Sequence, residues 1–284
     1  MALVTVREIL TPRPQGWAVG AFNVHNMEDV QAVVWAAEEL KAPVILQVSE
    51  SALKYAGAPY LAGIVKAAAE ESTVPIALQL DHGRDFELIR AAVKAGFTSI
   101  MFDGSHLPYE ENVRETRKVV ELAHAHGLSV EGELGRVGGK EDNIEVATNE
   151  AFLTNPEQAA EFVEATGIDL LAPAVGTMHG LYRGEPKVDF ERLQKIREVV
   201  AVPLVLHGGS DLPTEVIARV IKIGVDKINV GTDLKYAMTD GVREYLGEHP
   251  QEMEPRKVFG AARAKGKLLV GEKLKLFNSN KRCS

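Results

Sequence analysis

With 284 residues, 45% of them hydrophobic and 25% charged, the chain has material for one soluble unit around a large core, expected as a single domain over residues 1–284. Its net charge of −8 excludes a nucleic-acid partner, which needs a basic face, but not a phosphorylated substrate, which local backbone N–H groups can hold. The single cysteine, Cys283, excludes an internal disulfide framework, and no secretory leader or apolar run near the roughly 20 residues of a bilayer span is visible, so a cytoplasmic location without a membrane partner is expected.

Short apolar, β-branched runs recur at residues 18–23, 43–49, 75–81, 98–103, 128–133, 169–175, 203–207 and 226–230. Each is too short for a helix and reads as a strand buried on both faces. Helical periodicity fills the intervals. After the first strand, Asn26 caps Met27-Glu28-Asp29, and Val30, Val33, Val34 and Ala37 form an apolar stripe. Ile89, Ala92 and Val93 make a second stripe, and Val113, Val119, Val120 and Ala123 a third. Later, Thr214-Glu215 behind Pro213 opens another helix. Gly96, Gly127, Gly167 and Gly224 each stand between a helix and the next strand, where a left-handed residue ends a helix. Strand–helix alternation of this kind over about 250 residues predicts an α/β fold, a (β/α)₈ TIM barrel, with a doubly wound open sheet as the alternative. A break near 247–250 sets off a basic arm, 248–284, which reads as a solvated helical tail.

In such a barrel the reactive groups project from the C-terminal ends of the strands. Those ends carry Asn23, Ser49, Asp81 with His82, Asp103, Glu133, His207 and Asn229, and His179 lies in the loop after the sixth strand. One polar residue there is an ordinary loop cap, but a ring of them after apolar interiors predicts a site. Singly, His82, His179 and His207 read as hydrogen-bonded loop residues. Together they offer three neutral imidazoles to a catalytic Zn²⁺ with a position left open. Asp103 and Glu133 read as carboxylates that orient these ligands or alternate with them. The glycine-rich stretches His207-Gly208-Gly209-Ser210 and Asn229-Val230-Gly231-Thr232 follow the seventh and eighth strands, where barrels often bind phosphate. The segment from Gly135 to Asn143 reads either as a solvated loop or as a lid that brings Glu141 or Arg136 over a substrate. His25 and His106 read as loop hydrogen-bonders, His124 and His126 as an exposed helix end, and His249 as part of the tail. Lys227, on one face of its strand with Asn229, reads either as an ion-paired residue or as a Schiff-base nucleophile.

Five stretches in order, Leu80-Asp81-His82-Gly83, Glu131-Gly132-Glu133-Leu134-Gly135, His179-Gly180-Leu181-Tyr182, and the two glycine-rich ones above, resemble the class II, metal-dependent, ketose-bisphosphate aldolases along nearly the whole chain. Gly135-Arg136, Ala151-Phe152-Leu153-Thr154 and Lys187-Val188-Asp189-Phe190 resemble the tagatose-bisphosphate branch, with the fructose-bisphosphate branch near it. The resemblance implies that His82, His179 and His207 hold Zn²⁺, with Asp103 and Glu133 as auxiliary carboxylates. It implies that Asp81 exchanges the proton of the substrate's C4 hydroxyl, and that Glu141 handles the proton at the dihydroxyacetone carbon. Gly180, Gly208, Gly209, Ser210, Asn229, Val230, Gly231 and Thr232 are implied to bind dihydroxyacetone phosphate, with Asn23 and Ser49 expected to face substrate from the rim. Arg256 matches an arginine that reaches the far phosphate of a neighbouring subunit, which implies a homodimer or homotetramer and gives the basic arm a purpose. A monovalent cation (Na⁺ or K⁺) and a separate partner subunit of related fold also belong to the pattern. The implied reaction is reversible retro-aldol cleavage of a ketohexose 1,6-bisphosphate to dihydroxyacetone phosphate and glyceraldehyde 3-phosphate. D-tagatose 1,6-bisphosphate is the favoured substrate and D-fructose 1,6-bisphosphate the alternative. A non-catalytic barrel subunit is the remaining reading, and the intact ligand and base positions speak against it.

Overall fold

A short helix, α1 (Val6–Ile9), lies beneath the first strands, started by a capping box in which Thr5 and Glu8 satisfy each other's backbone N–H groups. The computed structural model describes residues 3–141, 144–146, 152–182 and 184–283. Strand β1 (Val19–Asn23) leads to α2 (Met27–Leu40), capped by Asn26 as its sequence requires. Strand β2 (Val44–Ser49) runs straight into α3 (Glu50–Ala56), with Ser49 as its cap, and then α4 (Ala58–Glu71). The units β3 (Ile76–Gly83) with α5 (Phe86–Ala95), and β4 (Ser99–Phe102) with α6 (Tyr109–Ala125), follow. After β5 (Ser129–Leu134) come a hairpin of β6 (Gly138–Glu141) and β7 (Ile144–Val146), then α7 (Pro156–Thr166). The chain continues through β8 (Leu170–Pro173), the two-residue β9 (Met178–His179), α8 (Phe190–Val199), β10 (Leu204–Leu206) and α9 (Thr214–Ile223). It ends with β11 (Val225–Val230), α10 (Thr232–Glu248) and α11 (Pro255–Leu276).

Eight of these strands close into a parallel barrel in the order β1-β11-β10-β8-β5-β4-β3-β2, which excludes the doubly wound alternative. Gly96, Gly127, Gly167 and Gly224 all take the positive φ expected of them. No helix among the described residues is long and apolar enough to cross a membrane.

Strand alternation sorts the side chains into two layers. Val19, Ala21, Ile45, Ala77, Leu170, Ala172 and Val205 join Val6 and Leu10 of the α1 plug in one cluster that fills the lower barrel. Their neighbours Phe22, Val44, Leu46, Leu78, Leu80, Val130 and Ile228 belong to the larger core between barrel and helices. Higher in the barrel the inward series turns polar, with Gln47, Gln79, Glu131 and Lys227 each at most 1% exposed. The expectation of apolar strand interiors therefore holds only for the lower half.

The basic arm is not a solvated tail. Helix α11 buries Ala262, Gly266, Val270 and Leu274, one residue per turn, and packs on α10 and α2. The helices approach closely: a Cβ on Gly266 would stand 2.4 Å from the Met238 sulfur. Past its end Phe277 is fully buried, and its carbonyl accepts from Ala18 N–H at 3.0 Å, tying the arm to the foot of β1.

Candidate active site

The upper rim is built around an irregularity in β3. Its register against β4 slips between Leu80 and Gly83, and His82 sits at φ 49°. Regular alternation would send Asp81 and His82 to opposite faces, whereas the bulge lets both face the barrel mouth. A left-handed φ in a histidine costs of order 1–3 kcal/mol, tolerated where the surroundings over-determine it. Asp81, 1% exposed, accepts from Asn23 Nδ2 at 2.8 Å on one oxygen and from Gln47 Nε2 at 3.1 Å on the other. These two neutral donors fix the direction of the carboxylate, an acceptor of protons when ionised.

The three histidines meet. One ring nitrogen of each of His82, His179 and His207 lies within 4.8 Å of the other two. His207 Nδ1 is 3.1 Å from His82 Nε2 and 3.4 Å from His179 Nε2. Two imidazoles bound at about 2.0–2.1 Å to one tetrahedral ion hold their nitrogens roughly 3.3–3.4 Å apart, so the spacing and the donor set fit a divalent metal.

Asp103 and Glu133, grouped with His82 as a second possible ligand set, differ in what they have left to give. Asp103 Oδ2 receives His82 Nδ1 at 3.1 Å and Arg84 Nε at 2.9 Å, and its Oδ1 receives Ser105 Oγ at 2.6 Å. Burial alone would raise this carboxyl, but His82 and Arg84 hold it well below the ordinary range. Its geometry is that of an orienter of His82. Glu133, 2% exposed, has an Oε2 that makes no hydrogen bond and stands 3.8 Å from His82 Nδ1. Burial, reinforced by the negative charge of Asp103, pushes its carboxyl up to about 7. Of the two, Glu133 has the free oxygen to offer a metal. Buried oxygens of Asn23 and Gln47 likewise lack partners, as polar atoms at a ligand site do.

Lys227 is fully buried and donates to Glu131 Oε2 at 2.6 Å. It is ion-paired, and an ammonium in that state has no lone pair for a Schiff base.

The loops above the rim are stitched together. The segment expected as a loop or lid is a hairpin, and its β6 strand also pairs in parallel with β9, setting Gly139 opposite His179. Gly139 is at φ 94°, and a Cβ there would stand 2.2 Å from the His179 carbonyl, so only glycine permits the pairing. Glu141 ends β6, and its side chain lies outside the described residues, as do Asp142 and Asn143. Gly180 continues from β9, and a Cβ there would stand 3.3 Å from the Lys140 carbonyl. The Tyr182 hydroxyl donates to the Gly208 carbonyl at 3.0 Å and accepts from Met178 N–H at 2.9 Å, locking the β9 loop to the β10 loop. Burial pushes that hydroxyl up to about 12. Gly208 and Gly209 follow β10, and Ser210 Oγ accepts from Asp233 N–H at 3.3 Å. Gly231 caps α10 without a side-chain bond and Thr232 begins it, so this helix N-terminus is placed to hold an anion. Val230 points its side chain into the outer core and can offer only its backbone. Ser49 Oγ lies 3.0 Å from Ser51 Oγ, and β2–β3 pairing sets Ser49 opposite Asp81.

A sequence model described as "Fructose-bisphosphate aldolase class-II" matches residues 4–282. The chain belongs to this family. It is 49% identical over 284 residues to the fructose-bisphosphate aldolase of Geobacillus stearothermophilus, covering 99% of this chain and 98% of the relative. Identity to the fructose-bisphosphate aldolase of Thermus caldophilus is 47% over 301 residues, covering 98% of each. Among solved structures, the YdjI aldolase from Escherichia coli K12 matches with a TM-score of 0.86 at 35% identity, covering 99% of this chain and all of that one.

As a class II aldolase the chain is a carbon–carbon lyase of ketose bisphosphates. Several residues that complete the aldolase rim go unread in its sequence. Gln47, Gln79 and Arg84, which bond Asp81, Glu131 and Asp103, are among them, and Tyr182 stands there only as the end of the His179–Tyr182 stretch, with no role of its own. Within the chain Arg256 stands apart from the cluster: its guanidinium forks onto Glu254 and its side chain is 88% exposed. His25 bonds Asp29, His124 bonds Asp169, and His126 bonds the Leu122 carbonyl. The ring of His249 packs on Tyr245, and His106 is exposed, with partial desolvation and the nearby Arg84 lowering its pKa.

Proposed function

We propose that this aldolase cleaves a ketohexose 1,6-bisphosphate between C3 and C4, reversibly, with zinc held by His82, His179 and His207. The convergence of the three imidazole nitrogens carries this reading. Zinc bound there supplies a Lewis acid that draws off negative charge as the carbon–carbon bond breaks. Asp81 takes the proton from the C4 hydroxyl, and Asn23 and Gln47 hold its two oxygens in the direction that proton comes from. Glu141 serves the proton at the dihydroxyacetone carbon. Backbone N–H groups of Gly180, Gly208, Ser210 and the segment 229–232 at the start of α10 cradle the phosphate, with Na⁺ or K⁺ beside it, and Gly209, whose own N–H donates to the Asn229 carbonyl at 3.1 Å, ties the two phosphate loops together. Ser49 faces the substrate, and Asp103 keeps His82 oriented. Arg256 binds the distal phosphate of a neighbouring copy in a homodimer or homotetramer, consistent with its exposure. Residues 1–284 form one cytoplasmic aldolase domain.

Fructose 1,6-bisphosphate is the better-supported substrate, because relatives sharing 47–49% of the sequence carry that sugar in their names. The tagatose reading rests on three short stretches, and in one of them Ala151 lies outside the described residues. The two sugars differ only at C4, the carbon whose hydroxyl Asp81 deprotonates. Values of kcat/KM for both bisphosphates, measured side by side with metal content, decide between them. A chelator should abolish cleavage and zinc restore it, while borohydride with substrate should trap no adduct. Cleavage by the fully stripped protein would overturn the reading.

A further inference from the structure

Beneath the mouth lies a fully buried charged pair that none of the steps above uses. Lys227 Nζ donates to Glu131 Oε2 at 2.6 Å, and Gln79 Nε2 donates to the same oxygen at 2.8 Å. The other oxygen, Oε1, lies 2.9 Å from His207 Nε2. A carboxylate paired with an ammonium only accepts, so the proton between Oε1 and Nε2 belongs to the imidazole. That assignment leaves Nδ1 of His207 with its lone pair, and Nδ1 is the atom that meets His82 Nε2 and His179 Nε2. It also sets Asn229: its amide nitrogen, placed 3.2 Å from Nε2, cannot donate to an N–H, so its oxygen, otherwise without a partner, belongs there.

We propose that Lys227 and Glu131 are a positioning pair for the metal centre, fixing the tautomer and ring plane of His207 from inside the barrel so that Nδ1 faces the ion. Stability alone does not account for the pair. A buried ion pair is often replaced by packed apolar residues at no cost, and the layer just below is packed that way. The arrangement is that of a metal-bound histidine whose second nitrogen is held by a carboxylate, with the lysine serving to keep that carboxylate an acceptor. The inference rests on the proposed metal reading.

The test uses the full chain with two double variants. One, Lys227→Met with Glu131→Leu, removes both charges and the acceptor. The other, Lys227→Met with Glu131→Gln, removes the charges but keeps an oxygen for His207. Zinc affinity from chelator competition should fall about 10- to 100-fold in the first and recover largely in the second. The visible spectrum of the cobalt-loaded protein should change in the first alone. Affinity within twofold of the unaltered chain, with an unchanged cobalt spectrum, would overturn the proposal. Because a double variant can fail to fold, the ¹⁵N shifts of His207 in the unaltered, metal-free protein give a second measurement. Nε2 should carry the proton, and the opposite tautomer refutes the proposal. If the unaltered protein binds no zinc, the metal reading falls and takes this inference with it. Equal binding by all three proteins sinks this inference alone.

Discussion

The lower and upper halves of the barrel interior use the same strands for opposite ends. In β2, Ile45 packs into an apolar cluster, while Gln47, two residues on, hydrogen-bonds Asp81. In β3, Ala77 belongs to the lower cluster and Gln79 reaches Glu131. The lower half gains from burial alone and requires no particular geometry of its polar atoms. The upper half buries Glu131, Glu133, Asp103, Asp81 and Lys227, each of which must find a partner or hold a strained position. The lower half therefore supplies the stability that lets the upper half hold charge away from water.

Two substitutions test that division. Asp81→Ala should lower kcat by about 10²–10⁴, the usual range for a positioned acid–base group, while zinc stays bound. Turnover near that of the unaltered enzyme, with zinc content measured on the same sample, would remove Asp81 from the reaction. Ile45→Ala should do the reverse. Emptying that fully buried site should cost about 2–5 kcal/mol in urea unfolding and leave kcat unchanged wherever the protein remains folded. If Ile45→Ala slowed the folded enzyme as much as Asp81→Ala, the two halves would not be separable.

The division is written in the strands, but only at spacing two. Gln47 precedes Ser49, Gln79 precedes Asp81, Glu131 precedes Glu133 and Lys227 precedes Asn229, so the inward polar series is legible once the inward face is known. Read as runs buried on both faces, the same strands hide it. The rim histidines are legible individually; that they meet depends on barrel closure, which brings β3 and β10 to one mouth. The slip at Asp81–His82 leaves no mark in residue type, since neither residue favours a bulge. The β6–β7 hairpin is hidden for a different reason. Gly138, Gly139 and Lys140 have poor strand propensity, and β6 also pairs with the backbone of β9. In the C-terminal arm the stripe Ala262, Gly266, Val270 and Leu274 is present, but lysines and arginines between its members mask it.

The lower end also buries a carboxylate, and there the smallest effect should be found. Asp226, at the foot of β11, is fully buried. It accepts from Leu204 N–H at 3.0 Å, with Arg197 at 3.4 Å and Arg13 at 3.8 Å. Burial outweighs these contacts and pushes its carboxyl up to about 6 from 3.8. A raised acid favours the folded state in its protonated form. Its contribution is therefore present below about pH 4 and is lost as pH rises through about 6, where the unfolded chain has already released its proton. Asp226→Asn removes this dependence. Relative to the unaltered chain, the variant should gain on the order of 1–3 kcal/mol in unfolding free energy between pH 4 and 7.5. The comparison is made on metal-free protein, because metal binding is itself pH-dependent and would add to the difference. A difference between the two proteins that stays constant with pH would mean that Arg13 and Arg197 already compensate the buried charge, and that this end of the barrel holds an ion pair as successfully as the mouth does.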